Sequence, residues 1–348
     1  MVNLAINELL SDPLYFPFQL ICDRQIGYLK ISEDTFKKSS FLDRRIFGVE
    51  GEMIFLSASE VERQLRELTI NTTKDLIHIF HISHVGSTFI SKLLESLNEV
   101  KVLREPNILR DFTREYSKVI KSSSEYKKHE LDSILFGILK SFTHGRESKV
   151  VIKHTSSNLG LPIGHNHIEN IVQKEILLYT DLKNFLSHAI TSNGLRSDAE
   201  GNARIRLNYL NKICFSNFFN LDDLKFLQIV SLIWMVEFSK ILARKASNKN
   251  ALLINFDYDF KENQKKETLT KIIGYIFNGN FNNLDEMMHL QDWNINPKNG
   301  EEFCFEVRED AIKRNKISSK KEIEKVSNWV MRICKEETYL MPLLNHIK

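Results

Sequence analysis

Little in this chain interrupts regular structure. Its 348 residues include only 13 glycines and 6 prolines, which argues against an all-β or disordered protein and favours long helices. Cysteine is sparse too: Cys22, Cys214, Cys304 and Cys334 lie far apart, with no CxxC pair. That excludes a disulfide-dense secreted scaffold and a cysteine zinc site, and it fits a reducing, cytoplasmic location. Neither sign of charge is in excess. The 48 Lys+Arg set against 45 Asp+Glu leave +3, so neither a strongly basic nucleic-acid binder nor an acidic-tail protein is expected. Met1–Leu10 lacks the basic and apolar regions of a signal peptide. The most apolar stretch, 226–242, carries Glu237 and Lys240. Its uncharged part is too short to span a bilayer, so a buried helix is expected there and no membrane span.

What is present is an ordinary globular composition, 42% hydrophobic and 27% charged. At about 100–200 residues per domain the length allows one large domain or two modest ones. Residues 1–70 read as a small N-terminal cap packed on a main domain of 71–348. Within the cap, Gln25–Ile31 (QIGYLKI) has strand character. Ser57 with Glu60, and Ser59 with Glu62, have capping-box spacing ahead of a helix through Leu68. From residue 75 short apolar runs alternate with helical periodicity. The strand candidates are 76–82, 100–103, 150–152, 175–179 and 251–256. Between them, helical patterns cover 89–97, 107–142, 182–190 and 226–242, and a last helix presents Ile323, Val326, Trp329, Val330 and Ile333. Strands separated by helices predict an α/β fold, three layers in α/β/α order, with a parallel sheet covered on both faces.

The sharpest local signal is Phe80-His81-Ile82-Ser83-His84-Val85-Gly86-Ser87-Thr88. A buried strand enters a turn with a glycine, two hydroxyl residues follow, and an amphipathic helix begins. That order points backbone N–H groups and a helix N-terminus at one spot, which attracts phosphate or another anion. Gly86 would let the anion approach, and Gly86→Val is expected to block it in a folded protein. Thr88→Ala is expected only to weaken binding. The bland alternative is an αβ turn whose serine caps the helix. Against GxxxxGK[ST], Ser87 stands where the lysine belongs, which weakens an ordinary kinase or ATPase reading. Lys153 ends an apolar strand, so its amine is expected at the carboxyl edge of the sheet, where ligands of such folds bind. Glu105, just past a strand end, could form a solvated salt bridge with neighbouring Arg104. His84 is a candidate cation beside a bound phosphate. His78 and His81 should point to opposite faces, His165 and His167 read as loop histidines, and no metal site is expected. Asp257 and Asp259 follow the fifth strand and could hold a magnesium ion in an NTPase, or else serve capping and turn roles.

FHISHVGSTFISKLLE resembles the 5′-phosphosulfate loop of P-loop sulfotransferases, in particular bacterial sulfotransferase-like proteins. Leu103-Arg104-Glu105-Pro106, Val150–Lys153 with Asn158, Leu178–Ser187 and Ala251–Phe260 follow in the family's order, so the resemblance covers about 75–260. It implies transfer of a sulfuryl group from 3′-phosphoadenosine 5′-phosphosulfate to a hydroxyl or amine of a small-molecule or peptide acceptor, without a metal, leaving adenosine 3′,5′-bisphosphate. Ser83, His84, Val85, Gly86, Ser87 and Thr88 would hold the donor, with Ser187 at the 3′-phosphate. Glu105, His84 and Lys153 would be catalytic. Two positions depart from the family: His84 replaces a basic loop residue and Tyr179 an arginine. Lys183 or Lys298 could supply the missing charge. The alternatives are an NTP-dependent phosphotransferase on the same fold, or a non-catalytic nucleotide- or partner-binding protein derived from it.

Overall fold

The computed structural model describes residues 9–10, 12, 14–21, 24–39, 41–46, 53–67, 74–97, 99–143, 147–163, 168, 171–214, 220–261, 263–279 and 305–347. His165, His167, Lys298, Cys22 and Cys304 lie outside them. The chain divides into two compact units, 1–79 with 88–175 and 80–87 with 176–348.

The elements in order are β1 (Tyr15–Ile21), β2 (Gln25–Lys30), α1 (Glu33–Lys38), β3 (Met53–Ser57), α2 (Ala58–Glu67), β4 (Lys74–His81), α3 (Ser87–Glu95), β5 (Val100–Arg104), α4 (Asn107–Ser122), α5 (Glu125–Phe142), β6 (Lys149–Lys153) and β7 (Ile171–Tyr179). They continue with α6 (Leu182–Thr191), α7 (Asn193–Ile213), α8 (Phe226–Ser247), β8 (Leu252–Asn255), α9 (Phe256–Asp259), α10 (Lys265–Phe277), α11 (Phe305–Ser318) and α12 (Lys320–Glu336). The fold is α/β. Five strands form a sheet in the order β5-β6-β4-β7-β8, parallel in register at β4–β6, β5–β6 and β7–β8. β4 is its middle strand, and from Asp75 to His81 every residue is buried. Such a strand reads as a continuous apolar run because both faces are covered.

In the first unit, β1, β2 and β3 form an antiparallel sheet. Pro17 lies on the edge strand β1, at an irregularity in its register with β2, where a missing N–H is tolerated. β1 packs on α4 and α2 packs on α5. The Leu20 N–H donates to Asp111 (3.1 Å) and the Asn107 amide to the Phe18 carbonyl (3.2 Å). The capping boxes expected at the start of α2 do not form as drawn. Ser57 and Ser59 share a hydrogen bond (2.8 Å), and Glu60 accepts from Arg63 and Gln64.

In the second unit the long apolar helix is α8. It is long and apolar enough to cross a membrane by composition, yet 67% of its most apolar window is buried inside the protein. A helix apolar nearly all round belongs to a core.

Candidate functional site

β4 ends at His81, and the Ile82 N–H donates to the Leu178 carbonyl (3.1 Å). The chain then turns through two left-handed residues, His84 (φ +62°) and Gly86 (φ +68°), before α3 starts at Ser87. The first N–H groups of a helix have no intrahelical partner. Those of Ser87 and Thr88 therefore open the helix as donors. Both side chains are buried, and among the described residues neither hydroxyl makes a hydrogen bond. Val85 is fully buried.

Gly86 has a reason of its own. A Cβ built there would overlap the ring of Phe256, in a backbone conformation that L residues rarely adopt. The glycine is demanded by packing before any ligand is considered. A Gly86→Val variant therefore tests folding, and not the anion's approach as the sequence suggested. His84 carries a left-handed backbone at a cost of roughly 1–2 kcal/mol. Its ring lies 5.6 Å from that of His188 on α6. A methyl group at Gly194 would come within 3.3 Å of it.

The N–H at the start of the loop is already engaged. Ser83 donates its N–H to Glu237 Oε2 (2.7 Å) and its hydroxyl to Oε1 (3.3 Å). Arg206, on α7, bridges Glu237 (3.2 Å) and Asp198 (2.6 Å). Lys240 lies one turn beyond Glu237, its amine over the Tyr209 ring at 4.4 Å. Burial lowers the pKa of that amine, Glu237 opposes the shift, and Arg206 and Arg244 add to it. Arg244 stacks on Phe80 at 3.6 Å. A carboxylate of the protein thus holds the Ser83 end of the loop. Sequence reasoning did not assign Glu237 or Arg206. The available signal was an acid inside an otherwise apolar helix, since a buried charge requires a partner.

Tyr179 ends β7 and is stacked on Phe238 (4.6 Å between centroids, 11°), with the His346 ring edge-on at 5.1 Å. Burial, reinforced by Asp181, pushes its phenol up to about 12. Ser187 is fully buried, its hydroxyl donates to the Lys183 carbonyl (2.6 Å), and its own carbonyl accepts from Asn315 (2.9 Å). Lys183 is half-buried on α6. Lys316, on α11, has its amine lowered by burial and, less strongly, by Lys183, with Asp257 opposing. Asp257 accepts from the Thr180 hydroxyl (2.5 Å), and Asp259 accepts the Asn255 N–H (2.8 Å) at the start of α9.

The first unit brings Glu105 and Lys153 together. Arg104 and Lys153 are register partners on β5 and β6. Lys153, almost wholly buried, makes an ion pair with Glu105. Arg104 does not pair with its neighbour Glu105. Its guanidinium binds Glu95 and the Ser39 carbonyl instead, while Glu105, past the strand end with a left-handed backbone, turns to Lys153. Around Glu105 stand Arg45 (3.7 Å) and Arg110 (3.8 Å), and both also pair with Asp43. Burial raises the Asp43 carboxyl pKa, but hydrogen bonds and charge from Arg45, with Arg110, outweigh it and hold the group below the usual carboxylate range. A folded pKa below the unfolded one contributes stability that is present above the unfolded value, near 3.9, and lost as pH falls through the folded one. Urea denaturation from pH 5 downward is expected to show this loss, and Asp43→Asn to remove that part of the slope.

His78 and His154 share a hydrogen bond (3.0 Å), while His81 bonds the Ile82 carbonyl (2.8 Å). Among the described residues no group of three or more His, Cys, Asp or Glu could hold a metal. Comparison with models of known protein families finds no match, and a search of characterised proteins finds no significant similarity.

Proposed function

We propose that the chain is a sulfotransferase-like enzyme whose donor, 3′-phosphoadenosine 5′-phosphosulfate, is held by its 5′ end at the start of α3. One observation carries the reading. The middle strand of a parallel sheet runs into a left-handed turn and a helix that opens with the N–H groups of Ser87 and Thr88, whose hydroxyls make no hydrogen bond among the described residues. Such an arrangement favours an anion at the carboxyl edge of the sheet.

In the reaction, an acceptor oxygen or nitrogen attacks sulfur, the bond from sulfur to the bridging phosphate oxygen breaks, and adenosine 3′,5′-bisphosphate leaves. His84, when protonated, would offset charge growing on that oxygen. The acceptor's proton would pass to a base or to solvent. The acceptor is a small molecule or peptide. The free thiols of Cys214 and Cys334 support a cytoplasmic setting.

A second reading, a nucleotide- or partner-binding protein without catalysis, is favoured by Glu237 on the Ser83 N–H and by the aromatic packing that holds Tyr179. Thermal shift separates donor binding from partner binding, since stabilisation grows with the logarithm of ligand over Kd. Adenosine 3′,5′-bisphosphate is expected to stabilise the protein without magnesium and more than ADP does. Stabilisation only by ATP with magnesium would favour phosphoryl transfer. No stabilisation by any nucleotide would reject the enzyme reading and leave partner binding.

A further inference from the structure

We propose that Arg45 and Arg110 form an oxyanion-binding subsite at the carboxyl ends of β5 and β6, receiving the carboxylate, phosphate or sulfate group of a small acidic molecule. The inference does not rest on the donor reading above, because every residue in it belongs to the first unit.

The backbone builds the place. β5 and β6 end together, with Arg104 opposite Lys153. The segment from Phe41 to Arg45 is pinned against them. The Leu42 N–H donates to the Arg104 carbonyl (2.6 Å), and the Asn107 N–H donates to the Leu42 carbonyl (3.0 Å). Glu105 is left-handed (φ +53°), a conformation costing a non-glycine residue of order 1–3 kcal/mol and concentrated at functional sites.

The side chains form a closed floor and an open rim. Asp43, Lys153 and Glu105 are 6%, 2% and 13% exposed, while Arg45 and Arg110 are 56% and 40% exposed. Arg45 lies over the Phe41 ring at 3.5 Å and gives Nε and one Nη to Asp43 (2.7 and 2.5 Å). Its other Nη is left for a ligand. Arg110 stands 3.7 Å from Asp43 and 3.8 Å from Glu105, beyond hydrogen-bonding distance. Among the described residues it makes no hydrogen bond. It also lies in the first turn of α4, where the helix dipole disfavours a cation.

Three cations against two carboxylates leave one positive charge in excess. A network serving stability alone would close its hydrogen bonds. Here a rigid, stacked arginine and an uncommitted one leave donors suited to an oxyanion, which arginine forks bind with two parallel bonds. The floor fixes the rim, with Glu105 and Asp43 preventing the arginines from repelling each other.

Calorimetry on the full chain tests this with phenyl phosphate, phenyl sulfate and benzoate, and with phenol as the neutral control. At least one anion is expected to bind and phenol is not. Which anion binds tells a tetrahedral group from a planar one. Arg110→Gln is expected to weaken binding about tenfold, the loss of a charge-assisted contact, and the double variant with Arg45→Gln to abolish it. Arg110→Lys keeps the charge without the fork and should fall between. Arg110 makes no hydrogen bond to lose, so circular dichroism is expected to show these variants folded. Should the double variant unfold, the two Arg110 variants decide alone. The proposal is overturned if none of the three anions binds. It is also overturned if binding survives both Arg110 variants, or if it is lost in Thr88→Ala while indifferent to Arg110, which would assign the anion to the loop.

Discussion

Gly86→Ala is expected to destabilise the protein by roughly 2–5 kcal/mol. The left-handed backbone costs an L residue roughly 1–2 kcal/mol, and forcing a methyl group into the Phe256 ring adds about 1–3 kcal/mol of overpacking. Urea denaturation of Gly86→Ala, Phe256→Ala and the double variant separates these terms. Phe256 is 1% exposed, so its truncation alone should cost about 3–5 kcal/mol. With the ring gone, the alanine at position 86 has room. The double variant should then be about 1–3 kcal/mol more stable than additivity allows, within the range seen for residues in contact. Strict additivity would show that the ring is not what demands glycine. A loss of ligand binding in a Gly86 variant therefore reports the integrity of the loop, and Thr88→Ala is the cleaner probe of the anion site.

Removing the Glu237 carboxylate should be about as severe. Glu237→Ala leaves the nearly buried Arg206 without its interior partner and the Ser83 N–H without its acceptor. Breaking one side of a buried pair costs about 3–5 kcal/mol. Glu237→Gln keeps an oxygen for Ser83 and should cost clearly less. The two variants also divide structure from binding. In the proposed enzyme the carboxylate's charge opposes an anion at the loop, so Glu237→Gln is expected to bind adenosine 3′,5′-bisphosphate more tightly than the parent. Weaker binding in a stably folded Glu237→Gln would mean that the carboxylate organises the loop for its ligand and does not compete with it.

The strands were legible because burial on both faces writes itself locally. The runs ending at His81, Arg104, Lys153, Tyr179 and Asn255 are short, apolar and bracketed by helical periodicity. The turn at Gly86 was legible for the same reason: a strand, a glycine, hydroxyls and a helix follow within ten residues. The polar stretch 107–142 was recognisably helical but not as two helices, since the left-handed break at Ser123 carries neither glycine nor proline. β1 and β3 were missed, being edge strands of a small sheet with Pro17 in one and half-exposed residues in the other. Nothing local sets the order β5-β6-β4-β7-β8, because strand order follows from how helices pack between crossovers.

The site divides along the same line. Sequence alone singled out Glu105 and Lys153, each by its place after an apolar strand, but their pairing needed two parallel strands in register. Arg45 and Arg110 had no local signature, for a charged residue on a polar segment is ordinary until a distant carboxylate lies beneath it. Glu237 stood out as an acid in an apolar helix, yet its partner is a backbone N–H 154 residues away. The glycine at 86 could be read as a need for conformational freedom. Only tertiary structure supplied its second cause, the Phe256 ring, because steric exclusion depends on what the fold brings close and not on what the chain places next.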